Sequence, residues 1–303
     1  MKLPFKIQPS AQAFRASFFI NIIALIFYFI VIGDFSINDL GYFILTFFTA
    51  SIVLENFLTS YKTRLEEINI LKDQENYRRE FLGNVSHELK TPLFTIQGYI
   101  LTLIEGALKD KKVRGKYLRR SAKGVDRLIS IVKDLDLITQ FESGIKTVDK
   151  TDFNIYELIE NVYDLMEFES EKNKTKLLVN NENNTPIIVN ADKERILQVL
   201  TNLVVNSIKY GKEGGYTKVK VEEYDKDRII VRVKDNGEGI EDEHLPRLFE
   251  RFYRIDKNRS RKKGGSGLGL SIVKHIIEAH QEQIFVESKI GQGTEFSFTL
   301  QKP

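Results

Sequence analysis

The sequence of 303 residues contains no cysteine, which excludes disulfide bonds and thiolate metal sites and leaves the redox compartment open. Histidine is scarce, with four residues, so any metal is expected on oxygen ligands. An excess of charge of one sign is also missing, because 45 basic residues face 42 acidic ones, a formal net charge of +3. Without a concentrated basic surface, direct nucleic-acid binding is not expected.

Apolar residues are concentrated in two long segments near the N-terminus. Segment 16–32 has two polar residues, and segment 40–58 is uncharged up to Glu55. A membrane-spanning helix needs about 20 apolar residues, and about 17 are tolerated. The sequence therefore predicts two transmembrane helices in a hairpin over residues 16–58. A cleaved signal peptide and buried core helices are the alternatives. The second apolar segment argues against the former, and the lack of a polar face against the latter.

Charged residues predict how this hairpin is oriented. Three basic residues precede it within residues 1–15, and Lys62 and Arg64 follow it, whereas the connection 33–39 has two acids and no base. Because positive residues stay in the cytoplasm, both termini are expected there. The seven connecting residues are too few for a ligand-binding domain, since self-folding domains need about 40 residues. A ligand would therefore have to act inside the bilayer or through a membrane-protein partner.

A helical pattern with one apolar seam covers residues 59 to 141. Residues 59–80 are predicted to form a helix that continues from the membrane, and residues 81–142 a dimerisation domain of two antiparallel helices. Within the second of these, apolar residues recur at spacings of three and four. Two such helices cannot bury both seams alone, so we predict a homodimer that forms an antiparallel four-helix bundle.

His87 lies in the first of these helices, within Phe81-Leu-Gly-Asn-Val-Ser-His-Glu-Leu-Lys-Thr-Pro-Leu93. Glu88 can fix the tautomer of an imidazole and receive its proton, and Thr91 lies one turn further on the same face. The string resembles the phosphoacceptor box of sensor histidine kinases, in particular the PhoR-like subtype. The resemblance implies that His87 is the phosphorylated nucleophile and Glu88 its base, and that Thr91 positions water for a phosphatase reaction.

Residues 150–303 show the alternating helix and strand pattern of an α/β sandwich. Asn154 and Asp192 are predicted N-caps of the first two helices. Predicted helices cover 154–171, 192–210 and 268–279, and predicted strands cover 176–180, 187–190, 219–223, 229–233, 284–287 and 295–300.

Two motifs in this domain carry oxygen atoms suited to binding. Asn202 and Asn206 are one helical turn apart, and their amide oxygens suit a hard cation such as Mg²⁺. Asp235-Asn-Gly-Glu-Gly-Ile240 follows a predicted strand. Its carboxylate can accept a hydrogen bond from an exocyclic amine, and its glycines let a flat ring approach the backbone. A plain hairpin turn is the alternative for this second motif.

Two further motifs predict contacts with phosphate. Gly264-Gly-Ser-Gly-Leu-Gly-Leu270 opens a helix, and such glycine-rich backbone binds anions. It is neither a Walker loop nor a dinucleotide-binding loop after a strand. Before it come Leu248-Phe-Glu-Arg-Phe-Tyr-Arg254 and a basic run to Lys263. We expect this region to form a lid in which Arg254 or Lys257 contacts phosphates.

In this order the motifs resemble the Bergerat, or GHKL, catalytic domain that histidine kinases share with gyrase, Hsp90 and MutL. The resemblance implies ATP and Mg²⁺. It makes Asn206 the chief Mg²⁺ ligand with help from Asn202. Lys209 would contact phosphate, Tyr210 would stack on adenine, and Asp235 would bond its amine. The other residues implied to bind ATP frame the base, lid and triphosphate: Gly237, Gly239, Phe249, Arg254, Gly265, Gly267, Leu268, Gly269 and Thr294.

Two positions depart from the family pattern. Ser207 stands where alanine is usual, and His280-Gln-Glu-Gln283 stands where the family usually has His-Gly-Gly. Losing a glycine that ends a helix costs about 1 kcal/mol. No essential position is lost, so an active enzyme is expected.

The expected function is that of an ATP-dependent protein-histidine kinase, multi-pass in the bacterial inner membrane. It would phosphorylate His87 and transfer the phosphoryl group to an aspartate of a separate, cognate response regulator. Because His87 is far along the chain from the glycine motifs, residues 143–150 are the predicted hinge for a domain motion. The alternatives are a non-kinase ATPase of the same superfamily and a membrane scaffold with a degenerate nucleotide domain.

Overall fold

The computed structural model describes residues 15, 18–20, 22–24, 26–28, 37–142, 148–180, 185–255 and 265–303. The chain divides into two compact units, Met1–Leu82 and Gly83–Pro303. Helix α1 (Ile37–Ile104) begins in the first unit and ends in the second.

The first unit is helical and apolar near its N-terminus. Among the described residues, one helix, which includes Leu40–Ile104, is long and apolar enough to cross a bilayer. A shorter apolar helix, Phe18–Tyr28, lies inside the predicted first span. Other residues of that span, and residues 33–36 of the predicted connection, lie outside the described part of the chain. The first predicted span, 16–32, and with it the two-span hairpin, therefore stays a prediction.

The second unit starts with the last part of α1 and helix α2 (Lys111–Glu142), joined through a short 3-10 helix, Ala107–Lys109. The two long helices run antiparallel, and the rings of Tyr99 and Tyr117 stack across them with centroids 5.1 Å apart. A Cβ atom on Gly124 would lie 2.6 Å from Cγ1 of Ile96, so any larger residue at this position of α2 would require Ile96 to move.

The remainder of the second unit is an α/β domain, which confirms the predicted architecture. Its elements are β1 (Thr151–Asn154), α3 (Ile155–Lys172), β2 (Lys176–Asn180), β3 (Ile188–Ala191), α4 (Lys193–Tyr210), β4 (Tyr216–Glu223), β5 (Arg228–Asp235), a 3-10 helix (Asp242–Arg247), α5 (Gly269–Ala279), β6 (Ile284–Lys289) and β7 (Gly293–Gln301). Five strands form one sheet in the order β2-β4-β5-β7-β6, in which the β2 and β4 pair alone is parallel. Strands β1 and β3 form a separate antiparallel pair.

Local sequence explains where the helices of this domain begin. The side chain of Asn154 accepts a hydrogen bond from the Tyr156 amide at 3.2 Å, and that of Asp192 accepts one from the Arg195 amide at 3.1 Å. Both predicted N-caps are confirmed, because each side chain satisfies a backbone donor that the helix leaves unpaired.

One core joins the helices of this domain to the sheet. Strand β4 alternates buried and partly exposed residues, as expected when one face of a sheet is covered. Leu137 and Ile138 at the end of α2 also belong to this core. Helix α2 is thus packed on the α/β domain through buried side chains, which is a contact that periodicity did not predict. The fully buried members of the core include Ile155, Leu158, Ile159, Ile196, Leu200, Leu203, Ile229, Leu268, Ile272 and Phe298.

A buried histidine fastens three parts of this domain together. Nε2 of His280 accepts the Asp192 amide at 3.0 Å, so Nδ1 carries the proton that is donated to the Ile276 carbonyl at 2.7 Å. Burial lowers the pKa of His280 and favours this neutral form. The His280 carbonyl accepts Lys150 Nζ at 3.3 Å, and the Asp192 carboxylate accepts the Asp149 amide at 3.2 Å. The chain after residue 148 is therefore held where α4 begins and α5 ends.

We expect Gln281→Gly to raise the free energy of unfolding by about 0.5–1 kcal/mol. Gln281 has a φ of 65°, in the left-handed region that a residue with a Cβ adopts at a cost. Thermal unfolding of the purified full chain measures the gain. Gln281→Ala is the matched control, because it keeps the Cβ and the strain, and an equal gain in both variants would contradict the explanation.

Candidate functional site

A cavity of about 380 Å³ opens in the second unit beside α4, the end of β5 and the start of α5. It brings together residues that lie far apart in the sequence but were predicted to form one site. Eleven of the fourteen residues implied to bind ATP line it: Asn202, Asn206, Lys209, Tyr210, Asp235, Gly239, Arg254, Gly265, Gly267, Gly269 and Thr294.

Asp235 forms the deepest polar group at one end of the cavity and is 7% exposed. Its Oδ1 accepts the amides of Gly237 at 2.8 Å and Thr294 at 3.2 Å. Within the described part of the chain no donor reaches Oδ2, which leaves an acceptor for a ligand amine. Burial raises the pKa of Asp235, and the two backbone hydrogen bonds oppose that shift.

Three predicted ligand residues lie behind the cavity wall. Gly237 is closed in by the Tyr210 carbonyl, 2.6 Å from where a Cβ would stand, and its amide holds Asp235. The ring of Phe249 meets that of Phe296 edge to face at 6.2 Å, and Leu268 is fully buried. In this structure they shape the site rather than line it, and their direct contact with ATP stays a prediction.

The other end of the cavity combines amide oxygens with cationic groups. Asn202 and Asn206 both face it from α4, and a Cβ on Gly269 would lie 3.5 Å from Oδ1 of Asn202. Lys209 also lines this space, and burial lowers the pKa of its ammonium group. Two neutral oxygen ligands with room for more around them fit a hexacoordinate Mg²⁺ that keeps phosphate and water oxygens.

Residues 253–255 form one edge of the cavity. The amide of Phe252 donates to the Gly267 carbonyl at 2.9 Å, and Gly267 has a φ of 79° with no room for a Cβ beside Phe252. The hydroxyl of Tyr253 and Nδ1 of His244 are hydrogen-bonded at 2.8 Å. The guanidinium carbon of Arg247 lies 4.4 Å from the centroid of the Tyr253 ring. Lys257 and the basic run lie outside the described residues.

The three predicted catalytic residues lie on α1. His87 and Thr91 are exposed, and the Thr91 hydroxyl donates to the His87 carbonyl at 3.3 Å. Glu88 is instead buried, with its side chain 12% exposed. Its Oε2 accepts Arg127 of α2 at 3.3 Å, and its Oε1 accepts Arg254 at 3.2 Å.

The Glu88 contacts link the histidine to the cavity. Arg254 lines the cavity, so the residue beside His87 and the predicted nucleotide site share one arginine. In this arrangement both Glu88 oxygens are bonded to arginines. Adjacent residues on a helix point in different directions, and a role as base for His87 therefore requires Glu88 to be released.

Helix α2 contributes cavity residues that the sequence did not predict. Ser130 and Asp134 line it, and burial raises the pKa of Asp134 to about 6. Both lie on the polar side of an amphipathic pattern, where a solvated residue is the ordinary interpretation. Only the packing of α2 on the α/β domain reveals them. Ser207 also lines the cavity, and its departure from the family residue was the one signal that marked it.

Two protein families match separate parts of the chain. Residues 77–144 match the His Kinase A (phospho-acceptor) domain, and residues 191–303 match the family described as histidine kinase-, DNA gyrase B-, and HSP90-like ATPase. The chain thus contains, in this order, segments similar to the phospho-acceptor domain and to the ATPase domain of histidine kinases. The order of the two domains agrees with the order of the His87 box and the cavity along the chain.

The curated relatives of this chain include sensor kinases. The chain is 37% identical over 229 residues to the sensor histidine kinase WalK of Bacillus subtilis (strain 168), covering 75% of this chain and 37% of WalK. It is 35% identical over 247 residues to the sensor protein kinase WalK of Staphylococcus aureus, covering 80% of this chain and 58% of that protein. The chain thus spans between 37% and 58% of the length of these two relatives.

Solved structures of histidine kinases are similar in fold to this chain. The histidine kinase AdeS of Acinetobacter baumannii superposes with a TM-score of 0.57 at 27% identity, covering 71% of this chain and 98% of AdeS. The histidine kinase ThkA, solved in complex with the response regulator protein TrrA, gives a TM-score of 0.59 at 28% identity, covering 79% of this chain and 66% of ThkA. These similarities agree with the fold of the second unit, which holds the last part of α1, helix α2 and the α/β domain.

We expect Gly239→Ala to abolish nucleotide binding, whereas Gly291→Ala leaves it within about twofold of the parent. Both glycines have a φ near 78°, at 77° and 78°, so both changes carry the same backbone strain of about 1 kcal/mol. They differ in space, because a Cβ on Gly239 meets the Lys289 backbone and one on Gly291 meets nothing within 4 Å. Calorimetric titration with ADP measures the affinity, and equal losses in the two variants would contradict this account.

Proposed function

We propose that this chain is a membrane-anchored sensor histidine kinase that uses Mg·ATP to phosphorylate His87. It then transfers the phosphoryl group to an aspartate of a separate response regulator, and it also has phosphatase activity in which Thr91 positions water. The observation that carries the proposal is the shared arginine. Arg254 lies in the cavity that holds the buried Asp235 and bonds Glu88 beside His87. The PhoR-like subtype stays a prediction that rests on the phosphoacceptor box.

ATP is proposed to bind with its base toward Asp235 and its phosphates toward Lys209 and Arg254. Asp235 Oδ2 is the acceptor for the amine of adenine, and Tyr210 covers the ring. Asn206 and Asn202 hold Mg²⁺, and their amide oxygens fit that ion. When bound, the ion neutralises charge on the phosphate oxygens. The remaining glycines at the start of α5 leave space for the triphosphate.

The phosphoryl transfer step involves one nitrogen of His87. Its lone pair attacks the γ-phosphorus in line, a P–N bond forms, and the P–O bond to ADP breaks with its electron pair leaving on ADP. Glu88 receives the proton from the other imidazole nitrogen. Because phosphate oxygens compete for Arg254, nucleotide binding weakens the ion pair that holds Glu88 and frees this carboxylate.

A homodimer follows from the apolar surface of the two long helices. Their exposed residues in the second unit include Leu93, Phe94, Ile100, Leu101, Leu118, Val125, Ile129 and Val132. Helices that leave such a face uncovered are stable when a second copy completes a four-helix bundle. The cognate response regulator is the proposed acceptor of the phosphoryl group, and ThkA supplies a precedent because it was solved with one.

The proposed domain plan keeps residues 1–15 in the cytoplasm, a hairpin at 16–58, a signalling helix at 59–80, the phosphotransfer domain at 81–142 and the catalytic domain at 150–303. A contact between the two apolar helices supports the hairpin, because the rings of Phe18 and Phe47 meet edge to face at 6.3 Å. We propose a bacterial inner-membrane protein that crosses the bilayer twice and senses inside it or through a membrane-protein partner.

Because the chain has no cysteine, single-cysteine labelling can test this topology directly. We expect Ser36→Cys to react with a membrane-impermeant maleimide on intact spheroplasts. Ser60→Cys, just past the second apolar segment, should react only after the membrane is opened. The reverse pattern, or labelling of both positions from outside, would contradict the hairpin.

We expect His87→Gln to remove all transfer of radiolabelled γ-phosphate to the chain, because the attacking nitrogen is gone. Glu88→Gln should slow transfer by about 100-fold, the lower range for losing a general base, while ADP affinity is not reduced, because Arg254 no longer has to leave an ionised partner. Glu105→Gln, an exposed glutamate on the same chain, is the control and should change neither quantity.

Two results would refute this assignment. Label that persists after His87→Gln would exclude this residue as the acceptor. A parent chain that binds ATP and hydrolyses it without ever carrying label would favour the ATPase alternative. A parent chain without ATP affinity, unchanged by Asp235→Ala, would favour the scaffold.

A further inference from the structure

A pair of buried hydroxyl groups lies under the base end of the cavity. Ser207 of α4 is 4% exposed and lines the cavity, and Thr217 of β4 is fully buried. Their oxygen atoms are 2.6 Å apart. Thr217 is the direct cross-strand partner of Asp235, so the two side chains lie on the same face of the sheet. The pair is thus placed beside the carboxylate that is proposed to bond the adenine amine.

The direction of the hydrogen bond follows from burial. Within the described part of the chain, Ser207 is the one polar group that the Thr217 hydroxyl bonds. A buried hydroxyl proton without an acceptor costs about 1–3 kcal/mol, so Thr217 donates to Ser207. The hydroxyl proton of Ser207 then remains available for donation. Ser207 lines the cavity and, among the described residues, makes no second side-chain hydrogen bond.

Thr294, on the opposite wall, presents a hydrogen-bond acceptor to the cavity, whereas Ser207 presents a donor. The single proton of Ser288 is donated to the Gly293 carbonyl at 3.0 Å, so in the 2.8 Å bond between the two hydroxyls Thr294 is the donor. Its oxygen can therefore only accept a hydrogen bond from a ligand. Asp235 Oδ2 is likewise an acceptor, and the base end consequently presents two acceptors from these residues and one donor, the Ser207 hydroxyl.

We propose that Ser207 is a specificity-determining residue that reads the purine base. Its hydroxyl donates, directly or through one bound water, to the ring nitrogen N1 beside the amine that Asp235 accepts. Adenine has this order of donor amine and acceptor nitrogen, whereas guanine has an acceptor oxygen and a donor N–H at the same places. The inference rests on the proposed function and adds a residue where the resemblance implied an alanine.

The test compares nucleotides that differ by one atom on the full chain purified in detergent. Titration calorimetry with Mg·ADP and its 1-deaza analogue, which lacks N1, gives two affinities without phosphoryl transfer. We expect the parent to bind ADP about five- to tenfold more tightly, as for one hydrogen bond. Ser207→Ala should bind both ligands equally, at the parent's affinity for the analogue, and should also discriminate less against GDP.

Two further variants keep the result interpretable. Ser207→Ala with Thr217→Val removes both hydroxyls, so no buried donor is left unpaired, and it should behave like the single variant. Ser170→Ala is the control, because Ser170 is a buried helix serine outside the cavity that bonds the Glu167 carbonyl at 2.7 Å.

The outcomes separate this inference from the function on which it rests. Equal losses for ADP and the analogue in Ser207→Ala would show a structural role and overturn the inference. An unchanged ADP affinity in Ser207→Ala would overturn it too. A parent chain that binds neither ADP nor the analogue would instead refute nucleotide binding itself.

Discussion

The buried carboxylate of Asp235 is the constraint around which the cavity is built. One oxygen holds the turn after β5 and the start of β7 through two backbone amides, so the two walls cannot separate without exposing an unpaired donor. The other oxygen is thereby aimed into the cavity. A single side chain thus fixes the walls and supplies the recognition group, and neighbouring glycines are required because the backbone passes so close to it.

A second carboxylate relates this cavity to the histidine. Glu88 is held between Arg127 and Arg254 with 12% of its side chain exposed, and a carboxylate in such surroundings is stable when both oxygens are paired. The structure therefore shows Glu88 and Arg254 neutralising each other rather than serving chemistry. Activity in the proposed cycle depends on exchanging this ion pair for one between Arg254 and phosphate. Competition between two anions for one arginine is a direct way to couple nucleotide binding to the state of His87.

Local signals predicted much of the fold and of the candidate site. The N-caps Asn154 and Asp192 were visible because capping needs only the next three residues, and the cavity motifs were visible because their spacing is fixed along the chain. Strand β1 was missed, since it is four residues long and buries only Phe153. Long-range contacts could not be predicted from the sequence. The arginine partners of Glu88 lie 39 and 166 residues away, and the placement of Asp134 in the cavity depends on how α2 packs.

The buried end of α2 sets the scale of the signal that this protein needs. A swing of the α/β domain away from α2 has to expose Leu137 and Ile138, and burying such a side chain is worth about 1.5–3 kcal/mol. The six peptide steps from residue 142 to 148 also keep these two residues within roughly 20 Å of each other in any such movement. For these two side chains the cost is a few kcal/mol, comparable to a handful of altered packing contacts among membrane helices. Such a shallow bias suits graded rather than all-or-none output.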